Sequence, residues 1–156
     1  MTRTAARELA VQLCFRLSVN GELSGETLDS FFDEEYFSTL SGEEGICAQR
    51  PDEKQMAYIR TVTQGVAAHL EELDAYVEKH ALGWKPGRIS KTALAVLRVA
   101  LFELKYMDEV PNAAAINEAV ELAKSYDEPE TVSFINGVLC AFVRSELGTP
   151  ETAETE

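Results

Sequence analysis

Apolar positions recur at steps of three and four along nearly the whole chain, which is the period of an amphipathic helix. Ala6, Leu9, Ala10, Leu13 and Leu17 form a first stripe, and the pair Asn20 and Gly21 predicts its end. Leu28, Phe31, Phe32 and Tyr36 form a second, with Ser24 placed to cap it. The stretch "SGEEGICAQRPDEK" is rich in glycine and acid and predicts a loop, its Pro51 suiting the first turn of the next helix. The third and longest stripe is Met56, Ile59, Thr63, Val66, Leu70, Leu73 and Val77. It predicts a seam packed inside a helical bundle, with a coiled-coil partner face as the alternative.

Two glycines and a proline in "ALGWKPGR" break the pattern, after which Ser90 is predicted to cap a helix carrying Leu94, Leu97, Leu101 and Leu104. Beyond "DEVP", Asn112 reads as the cap of a helix that buries Ile116, Ala119, Val120 and Ala123 and stops near Asp127, ahead of Pro129. The last helix is predicted over 130–147, with Ile135, Val138, Leu139 and Phe142 inward. The end of the chain, "GTPETAETE", reads as a disordered acidic tail over 148–156. No segment alternates with period two for long enough to form a strand. The predicted class is all-α, with six or seven helices in one or two small bundles.

Helix propensity does not explain Asn117 in "AINEAVELAKSY" or Asn136 and Gly137 in "SFINGVLCAF", because these are poor helix formers. The two amides can cross-link a pair of helices, each needing partners to offset desolvation, or they can face a ligand. Gly137 admits either a close helix or a ligand backbone. Phe134 lies off the last apolar stripe and is either a rim residue or a platform on which an unpaired base stacks.

At 156 residues, 46% of them hydrophobic and 26% charged, the chain can bury about two thirds of its unfolded surface without a covalent staple. No window holds ~18 uninterrupted apolar residues, and "MTRTAARELAVQL" has no apolar leader core, so the expectation is a soluble cytoplasmic protein with no membrane partner. Cys14, Cys47 and Cys140 are odd in number and lack CxxC spacing, while His69 and His80 have no ligand-like neighbours. Neither a disulfide framework nor a metal site is expected, and Cys14 and Cys140 read as small core residues.

The net charge of −13 argues against nonspecific binding to nucleic acid, which depends on cations meeting phosphate. The charge is uneven, however. Segments 21–55 and 127–156 together hold more than the whole deficit, whereas residues 1–16 carry Arg3, Arg7 and Arg16 against Glu8 alone. A second basic island, at 85–106, sets Lys85, Arg88, Lys91, Arg98 and Lys105 against Glu103. Two such islands in an acidic chain make contact with a polyanion local and oriented. Signatures of catalysis are missing: there is no phosphate loop, no nucleophile elbow and no zinc motif. The acids Glu118 and Glu121 lie three apart on a helix, as on an ordinary solvated face. No enzyme and no cofactor is expected.

Four motifs occur together in a fixed order. "RELAVQLCF" comes first, at 7–15, "AVLRVALFELKYMDEVP" follows, then "AAINEAVELAKSY", and after a short gap "FINGVL". This set resembles the NusB family of bacterial transcription antitermination factors, covering about 3–20 and 82–143. The resemblance implies two roughly perpendicular three-helix subdomains, about 1–80 and about 81–147, forming one domain over 1–147. It also implies binding of boxA-type RNA together with NusE, a protein of the small ribosomal subunit, within an RNA polymerase antitermination complex that supports ribosomal RNA synthesis. Carried over by position, Arg3, Arg7, Glu130, Phe134 and Asn136 are the implied RNA-binding residues. Arg98 and Asn112 mark the implied protein-partner surface, on the helix over 89–106 and the turn that follows it. One departure stands out: Thr4 and Ala5 occupy positions where further arginines are expected. Fewer phosphate contacts predict a shallower salt dependence and stronger reliance on the protein partner. Two alternatives share the fold, a homodimeric interaction module and a stand-alone relative of the RNA-binding domain of ribosomal RNA cytosine methyltransferases.

Overall fold

The computed structural model describes residues 3–20, 53–81 and 89–147. The helix expected around Leu28 and Tyr36, nearly all of the acidic loop 42–53 and the tail 148–156 lie outside these residues. Those described form α1 (Arg3–Asn20), α2 (Glu53–Ala68), α3 (Leu70–His80), α4 (Lys91–Tyr106), α5 (Asn112–Ala123) and α6 (Pro129–Phe142). A short π-helical turn, Val143–Leu147, continues α6. The class is all-α, as the period of the sequence predicts.

The chain divides into two compact units, Met1–Ala68 and His69–Glu156. In the first, α1 packs on α2. Ala6, Leu9, Ala10, Leu13 and Cys14 of α1 are buried, as are Ile59, Val62 and Val66 of α2. Thr63 is also fully buried, and its hydroxyl donates to the Ile59 carbonyl at 2.7 Å, which offsets its desolvation.

The third sequence stripe is continuous, but the helix is not. His69, at φ −115° and ψ 24°, separates α2 from α3, and its carbonyl accepts the Leu73 N–H at 2.9 Å. Beyond the break, Leu73 and Val77 pack with α4 and α6, so α3 groups with the C-terminal helices.

In the second unit α4 is the central helix, touching α3, α5 and α6. Every residue from Ala95 to Leu104 is buried, the pattern of a helix covered on all sides. Its N-cap is Ser90, as predicted, with Oγ accepting the Ala93 N–H at 3.0 Å. The cap of α5 differs from expectation. Pro111 occupies it, in extended backbone, and its carbonyl takes the Ala115 N–H at 3.0 Å, which makes Asn112 the first helical residue. Helix α5 buries Ala115, Ala119 and Ala123, while Ile116 and Val120 are half-buried. A ridge of alanines lets α5 approach α4 and α6 closely, which turns the buried face by about one residue from the one predicted. Helix α6 starts at Pro129 and buries Ile135, Val138, Leu139 and Phe142 as expected. Among the described residues no helix is long and apolar enough to cross a membrane.

Candidate nucleic-acid interface

In the first unit, Arg3 and Arg7 lie one turn apart on α1, a spacing that brings both side chains to the same face. That face meets Tyr58 of α2. The Arg3 guanidinium sits 4.3 Å from the Tyr58 ring centroid and that of Arg7 5.7 Å, both within cation–π range. Arg3 is exposed, whereas Arg7 is 6% exposed and Tyr58 4%. Of the two cations, the outer one is presented to solvent and the inner one is built into the packing. No feature of the sequence pointed to Tyr58, which lies off the Met56 and Ile59 stripe. Its role depends on how α2 meets α1.

In the second unit, the start of α6 carries Glu130, Phe134, Asn136 and Gly137. Glu130 is exposed in the first turn, beside backbone N–H groups that lack helical partners. Phe134 is 8% exposed, a member of the core and not a rim residue. Asn117 and Asn136 are both exposed, so the buried amide cross-link between helices is not formed. Among the described residues, the Asn136 Oδ1 accepts a long bond from the Cys140 thiol, at 3.8 Å, and the residue is exposed. A Cβ added at Gly137 would meet nothing within 4 Å, so close approach of another described helix is not what the glycine serves. Together these give α6 an exposed polar strip with a smooth backbone at its middle.

Arg98, from α4, is 8% exposed and makes a bidentate pair with Asp74 of α3, with Nε to Oδ1 at 2.8 Å and Nη2 to Oδ2 at 2.9 Å. Asp74 is the exposed member of that pair, at 41% of its side chain. Asn112 is half-buried at the first turn of α5. Nearby, Glu72 of α3 accepts from Lys105 of α4 and, at 2.7 Å, from the Tyr106 hydroxyl. His69 stacks on Tyr106 at 4.4 Å and approaches Glu72 at 3.2 Å. The ammonium of Lys105, and after it the Tyr106 hydroxyl, hold the Glu72 carboxyl down from 4.5 to about 2. The same carboxylate raises Lys105 and Tyr106 above their usual values. At the other end of α3, Lys79 and His80 meet Glu146 of the π-helical turn, and Lys79 is the larger cause of a lowered Glu146.

Glu72 binds its proton less readily folded than unfolded, so its contribution to stability is complete above pH ~4.5 and is lost as the pH falls toward 2. Glu146 acts in the same direction. Solvent screening at these partly exposed groups keeps the effect below full linkage. The expected result is that Glu72→Gln is less stable than the parent at pH 7 and that the difference narrows toward pH 2, followed by urea unfolding across that range. An unchanged difference would remove Glu72 from the account.

Among the described residues no group of three or more His, Cys, Asp or Glu is placed to hold a metal ion. The geometry offers a ring-held cation on one unit and a polar helix strip on the other, groups that bind phosphate and base edges respectively.

A family model described as the NusB family matches residues 4–144. The transcription antitermination protein NusB of Clostridium perfringens is 36% identical over 139 residues, covering 89% of this chain and 94% of that protein. Its counterpart from Acetivibrio thermocellus is 37% identical over 147 residues, covering 94% of this chain and 92% of that one. Among solved structures, Thermotoga maritima NusB superposes with a TM-score of 0.72 at 23% identity over 99% of this chain and 98% of that one, a likeness of fold.

Proposed function

This chain belongs to the NusB family, whose curated relatives are transcription antitermination proteins, and on that premise we propose that it binds boxA-type RNA together with NusE in an RNA polymerase antitermination complex. The observation that carries the reading is the exposed Arg3 guanidinium, held over an aromatic ring on the first turn of a chain whose net charge is −13. A cation so presented in an acidic molecule marks one place where phosphate is attracted and leaves most of the surface repelling it.

In this reading Arg3 and Arg7 supply the positive potential for the RNA backbone. Asn136 reads a base edge from the exposed strip of α6, and Gly137 beside it lets the RNA come close. Glu130, in the first turn of the same helix, accepts from a base amino group or a ribose hydroxyl. Phe134, being buried, acts by fixing the start of α6. The partner surface follows α4 and the turn into α5. There the buried Arg98 holds the Asp74 carboxylate in place for a basic partner, and Asn112 offers its amide from the first turn of α5.

The test is a titration of boxA-type RNA and a scrambled control against the protein, with and without NusE, at two salt concentrations. The expected result is a preference for boxA that NusE strengthens. Asn136→Ala weakens binding with the melting temperature unchanged, because the side chain is exposed. A NusE-containing mixture that binds both RNAs equally would overturn the reading.

A further inference from the structure

Arg3 and Arg7 share a single aromatic ring, and that ring comes from a different helix. Tyr58 of α2 has one guanidinium at 4.3 Å and a second at 5.7 Å from its centroid. It is 4% exposed, so the α1 and α2 packing fixes its position, and Arg7 at 6% is fixed with it. Arg3 lies in the first turn of α1, where a long side chain in water otherwise samples many rotamers. From this we infer that Tyr58 is a positioning residue for RNA binding: its ring holds the Arg3 guanidinium ready for a phosphate, with Arg7 bracing the ring from within. The inference rests on the RNA-binding reading above.

Three physical terms point the same way. A guanidinium on a ring face keeps its N–H donors for hydrogen bonds, because the ring engages its π face and not its edges. Ordering the side chain before the RNA arrives removes an entropic cost otherwise met on binding. The inner guanidinium also adds positive potential behind the ring without needing to reach the ligand. An arrangement of this kind suits a chain with Thr4 and Ala5 between its first two arginines, since a single well-placed cation does what a dense basic run does by number.

The experiment is the two-salt titration of boxA-type RNA with NusE, applied to five variants of the full chain. Tyr58→Leu is expected to weaken binding about five- to ten-fold and to reduce the salt slope by up to about 0.7, one phosphate contact on a single strand. Tyr58→Phe keeps the ring and is expected to bind as the parent does. Arg3→Lys keeps the charge and leaves Tyr58 in the packing, so folding is undisturbed, and it is expected to weaken binding because an ammonium lacks the planar stacking face. In the double variant of Arg3→Ala with Tyr58→Leu, the loss is expected to be clearly less than the sum of the two single losses, the remainder being the part carried by Arg7. A purely structural tyrosine would weaken binding equally with or without Arg3, and that result overturns the inference. Parent-like binding by Arg3→Lys overturns it as well, even if Tyr58→Leu proves unstable. A parent protein that shows no preference for boxA overturns the RNA reading itself, and the inference with it.

Discussion

Phe142→Ala is expected to lower stability by about 3–5 kcal/mol. Phe142 is fully buried at the end of α6. Its ring meets Tyr76 of α3 edge-on at 4.9 Å and lies 6.3 Å from His80, so truncation opens a void between two helices and removes an aromatic pair. The rigid flank of α3 limits collapse into that space, since Lys79 and His80 hold Glu146 just beyond it. Phe142→Leu fills most of the volume and should lose well under half as much. Urea unfolding of the three proteins measures this, and equal losses for Ala and Leu would show that the aromatic contacts, not the volume, set the cost. A domain of this size is stable by only about 5–15 kcal/mol, so Phe142→Ala removes a large share of the total.

Asp74→Ala is expected to cost about 2–4 kcal/mol, a large effect for a side chain 41% exposed. The reason lies with its partner. Arg98 comes from the all-round buried α4 and is 8% exposed, so removing Asp74 takes the bidentate acceptor from a guanidinium that water reaches poorly. The value is set below that of a fully buried pair because Asp74 itself is half in solvent. Replacing both residues, Asp74→Ala with Arg98→Met, should recover most of the loss, since the buried charge is then gone. If the double variant is no more stable than Asp74→Ala, the pair is not what holds α3 to α4. NusE binding, compared in the double variant and the parent, separates the stabilising part of Asp74 from its proposed part in partner contact.

The candidate site was legible in the sequence to the extent that charge and motif carry it. Arg3 and Arg7 stand out as cations in an acidic chain, and Asn136 with Gly137 stand out as poor helix formers within an apolar run. Their surroundings were not legible. Phe134 lies off the main stripe of α6, yet it is buried, because α6 buries a wider arc than one stripe. Asn117 sits beside the buried edge in sequence but is exposed, since the alanine ridge turns α5 by about a residue. Tyr58 gave no signal, because a lone aromatic in a helix reads as core until the helix bearing the arginines is laid against it.

By itself the sequence determined what local chemistry and periodicity control. The steps of three and four specify helices, Ser90 specifies where α4 begins, Pro129 where α6 begins, and the apolar residues of α6 its inner face. Tertiary packing decided the rest. The stripe from Met56 to Val77 keeps its phase through His69, so no pattern of spacing could reveal that the first part packs on α1 and the second on α4 and α6. Hydrophobic burial is non-directional and rewards covering a face, whichever neighbour covers it. The identity of that neighbour, and with it the ring beneath Arg3 and the carboxylate beside Arg98, exists only once the helices are in contact.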